Sequence, residues 1–167
     1  MKEWTKEIEI DAPIDFVWDL LNGPTENLQK IMPQVIEHNP VIITDEGVGS
    51  VYRQKYKEGK RIEEYDVETL EYLNTPDKKK LTVGFTLAKM FEITALYELN
   101  RLNESKTLFK YTCTNRPLKS FLKLIMLFAS DRVVVQFCER VKSTAEEEFE
   151  KSTLISKYFS NRPTILY

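Results

Sequence analysis

The chain is poor in the residues that usually advertise chemistry. It holds two cysteines, Cys113 and Cys138, and a single histidine, His38. A structural zinc site draws its ligands from several Cys and His side chains, so no metal is expected here, and no cofactor either. The cysteines form no CxxC pair and sit in apolar strings, where a thiol behaves as a small hydrophobe. A lone histidine supports no Ser-His-Asp arrangement, and no catalytic residue is assigned. Five glycines and seven prolines in 167 residues exclude low complexity and disorder. Glu46-Gly-Val-Gly49 has too few glycines for a phosphate loop and reads as a hairpin turn. Long apolar runs are missing too. The stretch Leu124–Ala129 falls far below the ~18–20 residues that span a bilayer, so no integral membrane segment is expected. The opening MKEWTKEIEIDAP lacks a continuous apolar core, so no secretory signal is expected. A net charge of −2 supplies no basic field, which argues against nucleic-acid binding. The expectation is a cytoplasmic protein with reduced thiols.

What is present is pattern. Trp4, Ile8 and Ile10 share one face of an alternating strand. Asp11 is placed to cap a helix that Pro13 can open, and Ile14, Val17, Trp18 and Leu21 follow at helical spacing. Asn22-Gly-Pro24 stops that helix, with Gly23 expected in a left-handed C-cap. Thr25 to Ile31 fits a second short helix. From Gln34 onward the rhythm is strand after strand, with hairpin signals at Glu58-Gly59, Asn74–Asp77 and Asn103–Ser105. His38 stands beside an Asn-Pro pair expected to end or bend its strand. Tyr52, Gln54 and Tyr56 share a face opposite Val51, Arg53, Lys55 and Lys57. Ile62, Tyr65, Val67 and Leu70 do not hold one parity, which predicts a bulge. Lys78-Lys-Lys80 and Glu146-Glu-Glu148 read as solvated surface.

The C-terminal third is helical in two pieces. Leu118, Phe121, Leu122, Ile125, Phe128 and Ala129 form one stripe; Val134, Phe137, Cys138, Val141, Ala145 and Phe149 form another. At about 100° per residue the two stripes point half a turn apart, so a break is predicted near Ser130-Asp131. Residues 152–167 lack periodicity and read as a tail behind a single domain over 1–151.

The order of strand, two short helices, antiparallel strands and long helix resembles the SRPBCC superfamily. It is also called START-related or Bet v 1-like, and it joins polyketide cyclases and dehydratases with lipid-transport proteins. EIEIDAPIDFVWDLLNGP is similar to its opening strand and helix, and RIEEYDVETLE to one of its strands. RPLKSFLKLIMLFASDRVVVQFCERVKSTAEEEFE is similar to the approach to the terminal helix in bacterial members. The resemblance spans about residues 3–151 and rests on order and periodicity, because this superfamily has no short signature. It implies an α+β helix-grip fold: a curved antiparallel sheet of about seven strands around a long C-terminal helix, enclosing a cavity. Carried over, the lining is Tyr52, Gln54, Tyr56, Phe85, Ile93, Tyr97, Phe109 and Tyr111 from strands, with Val134, Phe137, Cys138 and Val141 from the helix. Phe121 and Ile125 fall near an entrance. Glu64 is the inward candidate among Glu63, Glu64 and Asp66, as a ligand-orienting group or base, against a plain solvated-face reading. His38 reads as a surface or structural residue, with a ligand-facing role as the alternative.

The function this implies is non-catalytic binding of a hydrophobic or amphipathic small molecule, lipid-like or polyketide-like. The alternatives are a cyclase/dehydratase-type enzyme with a pocket acid or base, and a stress-related interaction module acting through the 121–129 segment. That segment also permits transient membrane contact beside Lys119 and Lys123, or a homodimer.

Overall fold

The computed structural model describes residues 1–126 and 129–161, apart from the side chain of Ile125. Leu127 and Phe128 of the apolar run, the expected contact of Ile125, and 162–167 of the tail lie outside the described residues.

Strand β1 (Lys2–Ile10) leads into helix α1 (Ile14–Asn22) and helix α2 (Thr25–Ile31). The helical spacing of α1 does what it predicts, burying Ile14, Val17, Trp18 and Leu21, with Leu20 added. Its capping differs from expectation. Pro13 takes the N-cap position and no side chain caps the helix. Asp11 instead lends its backbone N–H to Glu146 Oε1, 2.9 Å away on the terminal helix. Gly23 is extended, at φ −88°, rather than left-handed. It is required for another reason: a Cβ there would lie 2.2 Å from the Asp19 carbonyl oxygen.

Six further strands follow: β2 (Val35–Ile42), β3 (Val51–Glu58), β4 (Arg61–Asn74), β5 (Lys78–Leu87), β6 (Phe91–Asn103) and β7 (Lys106–Pro117). They join β1 in one antiparallel sheet of order β1-β7-β6-β5-β4-β3-β2. Pro40 does not end its strand; it lies inside β2, where the register shifts between Pro40 and Ile42. An edge strand tolerates proline because its missing N–H costs no ladder bond. The bulge predicted in β4 sits between Thr69 and Glu71. Below it β4 and β5 part. They pair only from Glu68–Gly84 to Asn74–Lys79, while Arg61–Val67 pairs with β3 and Phe85–Leu87 with β6.

Helix α3 (Leu122–Met126) and helix α4 (Arg132–Ser160) are separated where the two apolar stripes disagree, with Asp131 at the α4 N-cap position. Leu122 and Met126 are buried, whereas Leu118, Phe121 and Leu124 are exposed. The α4 stripe of Val134, Phe137, Cys138, Val141 and Ala145 is buried as its spacing requires. The helix runs through Ser160, well past residue 151, on residues that are almost all exposed. It packs chiefly across β1 and β7 and against α1 and α2. Polar ties reinforce that contact: Arg140 donates to the Ile31 carbonyl at 3.2 Å, and Lys142 donates to the Glu9 carbonyl at 2.8 Å. Thr107, fully buried, donates to the Ala12 carbonyl at 2.8 Å and fixes β7 to the β1–α1 connection.

One charge reading is corrected. Lys79 is not solvated: its side chain is 5% exposed and its ammonium meets Asp15 at 2.8 Å. It also bonds Asn74 and lies 5.9 Å from the centre of the Trp18 ring. Strand parity explains this, since Lys79 points the same way as Leu81, into the sheet face that α1 covers.

Candidate functional site

The inward face of the sheet collects most of the expected lining. A two-residue turn at Gly59-Lys60 sets Glu58 opposite Arg61 and therefore Gln54 opposite Tyr65. The same parity aligns Tyr52, Gln54 and Tyr56 on β3 with Tyr65 and Val67 on β4, Phe85 on β5, Ile93 and Tyr97 on β6, and Phe109, Tyr111 and Cys113 on β7.

These residues divide into two groups. Under α4, Phe137 meets Tyr97, Phe109 and Tyr111, with ring centres 6.0, 6.4 and 4.8 Å away. Tyr97 and Tyr111 stack at 5.2 Å; Val141 joins Tyr97, Phe137 and fully buried Phe109 in the core cluster, with partly buried Tyr111 packed against it. On β2–β5, which α4 does not cover to a comparable degree, the aromatic rings are only partly buried. There His38 stacks on Tyr52 at 4.6 Å, and Tyr65 stacks on Phe85 at 4.9 Å. Buried Gln54 joins the two stacks: its carbonyl oxygen lies 2.9 Å from His38 Nδ1, and its amide nitrogen donates to the Tyr65 hydroxyl at 2.8 Å. The open end of the face thus carries a polar relay between two aromatic pairs.

Electrostatically, burial drives His38, four tyrosines and both thiols the same way. Burial holds the His38 imidazole below its usual 6.5, outweighing the opposing hydrogen bond to Gln54. Burial raises Tyr56 and Tyr65, and raises Tyr97 and Tyr111 further. It also lifts the Cys113 thiol, and pushes Cys138 up to about 12. Each shift favours the neutral form, because a charge loses more hydration on burial than a dipole does. Neither thiol is a ready nucleophile at neutral pH.

Two expected residues lie elsewhere. Glu64 points to the outer face, half exposed, with Lys55 at 3.9 Å. Alternation decides this, since Glu64 is one residue away from inward Tyr65. It borders a groove of about 990 Å³ that opens where β4 and β5 part, and which Tyr65, Phe85 and Ile93 also line. Phe121 is exposed ahead of α3. The backbone N–H of Leu118 donates to Met90 at 2.8 Å, tying that segment to the β5–β6 hairpin at the groove's edge. Ile125 is outside the described residues. Sequence reasoning missed Tyr65, whose inward position follows from the Gly59-Lys60 turn once Gln54 is placed inward. It also ranked His38 as structural, although His38 and Gln54 come to lie opposite each other on β2 and β3.

No family model and no curated protein matches the chain. Solved structures do. Zhui aromatase/cyclase from Streptomyces sp. R1128 superposes with a TM-score of 0.67 at 14% identity, over 87% of this chain and 93% of that one. Major latex-like protein 151 from Panax ginseng gives 0.63 at 14% identity, over 89% and 97%. Norcoclaurine synthase from Thalictrum flavum, solved with dopamine and hydroxybenzaldehyde, gives 0.59 at 15% identity, over 87% of each chain. The chain has the Bet v 1-like helix-grip fold. Identity this low carries the architecture and leaves the function to the residues of the site. Among the described residues, no helix is long and apolar enough to cross a membrane.

Proposed function

We propose that this chain binds an uncharged, ring-bearing hydrophobic small molecule on the inner sheet face at its β2–β5 end, which α4 leaves open, and holds it without turning it over. The observation that carries the reading is the neutral, half-open aromatic surface on β2–β5: His38, Tyr56 and Tyr65 are each pushed toward their uncharged forms. A flat apolar ligand would gain from the exposed ring faces, where an ionic one would lose hydration against neutral rings. Burial of apolar surface supplies the affinity, and Gln54, His38 and Tyr65 set the orientation. That norcoclaurine synthase, which shares this fold, was solved with dopamine and hydroxybenzaldehyde supports a ring-bearing ligand. The suppressed thiols support binding over covalent turnover.

Native mass spectrometry of the purified protein tests this. A neutral adduct that disappears on denaturation, or thermal stabilisation by flat aromatic compounds, supports the reading. A bare chain with no stabilisation by any member of such a panel contradicts it.

A second reading, acid–base turnover in the manner of a cyclase, is favoured by one feature: the neutral His38 imidazole is linked through Gln54 to the Tyr65 hydroxyl. Detection of turnover that His38→Phe abolishes would move the account to that reading.

A further inference from the structure

The relay on β2–β4 has a fixed direction. The Gln54 amide offers its oxygen to His38 and its nitrogen to Tyr65. An oxygen facing Nδ1 at 2.9 Å requires the hydrogen to sit on Nδ1, since two acceptors would repel. The neutral imidazole then leaves Nε2 with a bare lone pair, and Nε2 has no hydrogen-bond partner among the described residues. At the other end Tyr65 receives a hydrogen from Gln54, so its own O–H proton remains to be given. Gln54 is buried, so both ends of its amide are satisfied within the relay rather than by water.

We infer that His38 Nε2 and the Tyr65 hydroxyl form a matched acceptor and donor that select a ring compound carrying its own O–H or N–H donor together with an oxygen acceptor, phenols being the simplest class. The inference rests on the ligand-binding reading above and narrows it from any flat hydrophobe to a hydroxylated one. A ligand whose hydroxyls are capped by methyl groups would still accept from Tyr65 but would displace the water at Nε2 and leave that atom unsatisfied. Such an unmade hydrogen bond lowers affinity roughly tenfold.

The test is a pair of probes of nearly equal shape, naphthalene-2,6-diol and 2,6-dimethoxynaphthalene, titrated into the full chain by probe fluorescence. The wild type is expected to bind the diol roughly tenfold more tightly. His38→Phe, which preserves the stack on Tyr52, should bring the ratio of the two affinities close to unity by weakening the diol alone. Tyr65→Phe, which preserves the stack on Phe85, should weaken both probes and keep the ratio. Equal affinities in the wild type, a preference for the dimethoxy compound, or a ratio untouched by His38→Phe would overturn the acceptor–donor assignment while leaving ligand binding intact. Binding of neither probe would overturn both.

Discussion

The two halves of the inner sheet face are made of similar residues and behave differently. Beneath α4, Tyr97, Phe109, Tyr111 and Phe137 pack on one another and on Val141. Toward the β2 edge, Tyr52, Tyr56, Tyr65 and Phe85 stay partly open and are organised by hydrogen bonds through Gln54. The difference lies in coverage: α4 follows β1 and β7, so Tyr52, Tyr56, Tyr65 and Phe85 on the far strands lack its cover. Tyrosine on the closed side acts as a large hydrophobe whose hydroxyl is kept neutral. On the open side it acts as a recognition group. Stability should therefore reside in one half and ligand choice in the other, and substitutions can separate them.

The largest effect is expected on the closed side. Phe109→Ala removes a fully buried ring and should cost about 3–5 kcal/mol, read by chemical denaturation. A loss below about 1 kcal/mol would mean the cluster is loosely packed. Lys79→Ala comes next, at about 1–2 kcal/mol, because it removes the buried partner of Asp15 and the cation beside Trp18. An unchanged denaturation midpoint would restore the solvated reading of Lys79. On the open side Gln54→Leu should change stability by less than about 1 kcal/mol, since His38 and Tyr65 can reach water, while abolishing discrimination between the two naphthalene probes. A large stability loss with discrimination intact would erase the proposed division between the halves.

The smallest effect is a pH dependence. The folded His38 ring gives up its proton at lower pH than the unfolded ring does. Below 6.5 the unfolded chain therefore binds more protons than the native one, and stability decreases as the pH is lowered. The contribution is whole above 6.5 and is lost as pH falls through the folded value. His38→Phe should flatten that part of the stability profile; an unchanged slope would show that His38 titrates as it does in water.

The order of elements, the α4 stripe, the break before α4 and the β4 bulge were legible because each rests on local periodicity. Parity placed Tyr52, Gln54 and Tyr56 together on one face. It could not place Glu64 or Tyr65, because the mixed parity of Ile62–Leu70 concealed which members face inward until the hairpin register was known. Lys79 was misread for a related reason: a run of three lysines looks solvated, yet alternation turns its middle member into the sheet face beside Trp18. Gly23 ended its helix as expected but through crowding at the Asp19 carbonyl, which depends on the backbone path. The division between covered and open halves had no signal in the chain at all. It depends on where α4 lies across the sheet, which is set by α1, α2 and β1 together.

The most direct test of that division is a two-dimensional amide NMR titration of the chain with naphthalene-2,6-diol. The account predicts shifts centred on His38, Gln54, Tyr65 and Phe85, with Phe109 and the β1–β7 pair beneath α4 little changed. Shifts centred instead on the outer face around Glu64, or on the exposed residues Phe121 and Leu124, would contradict it.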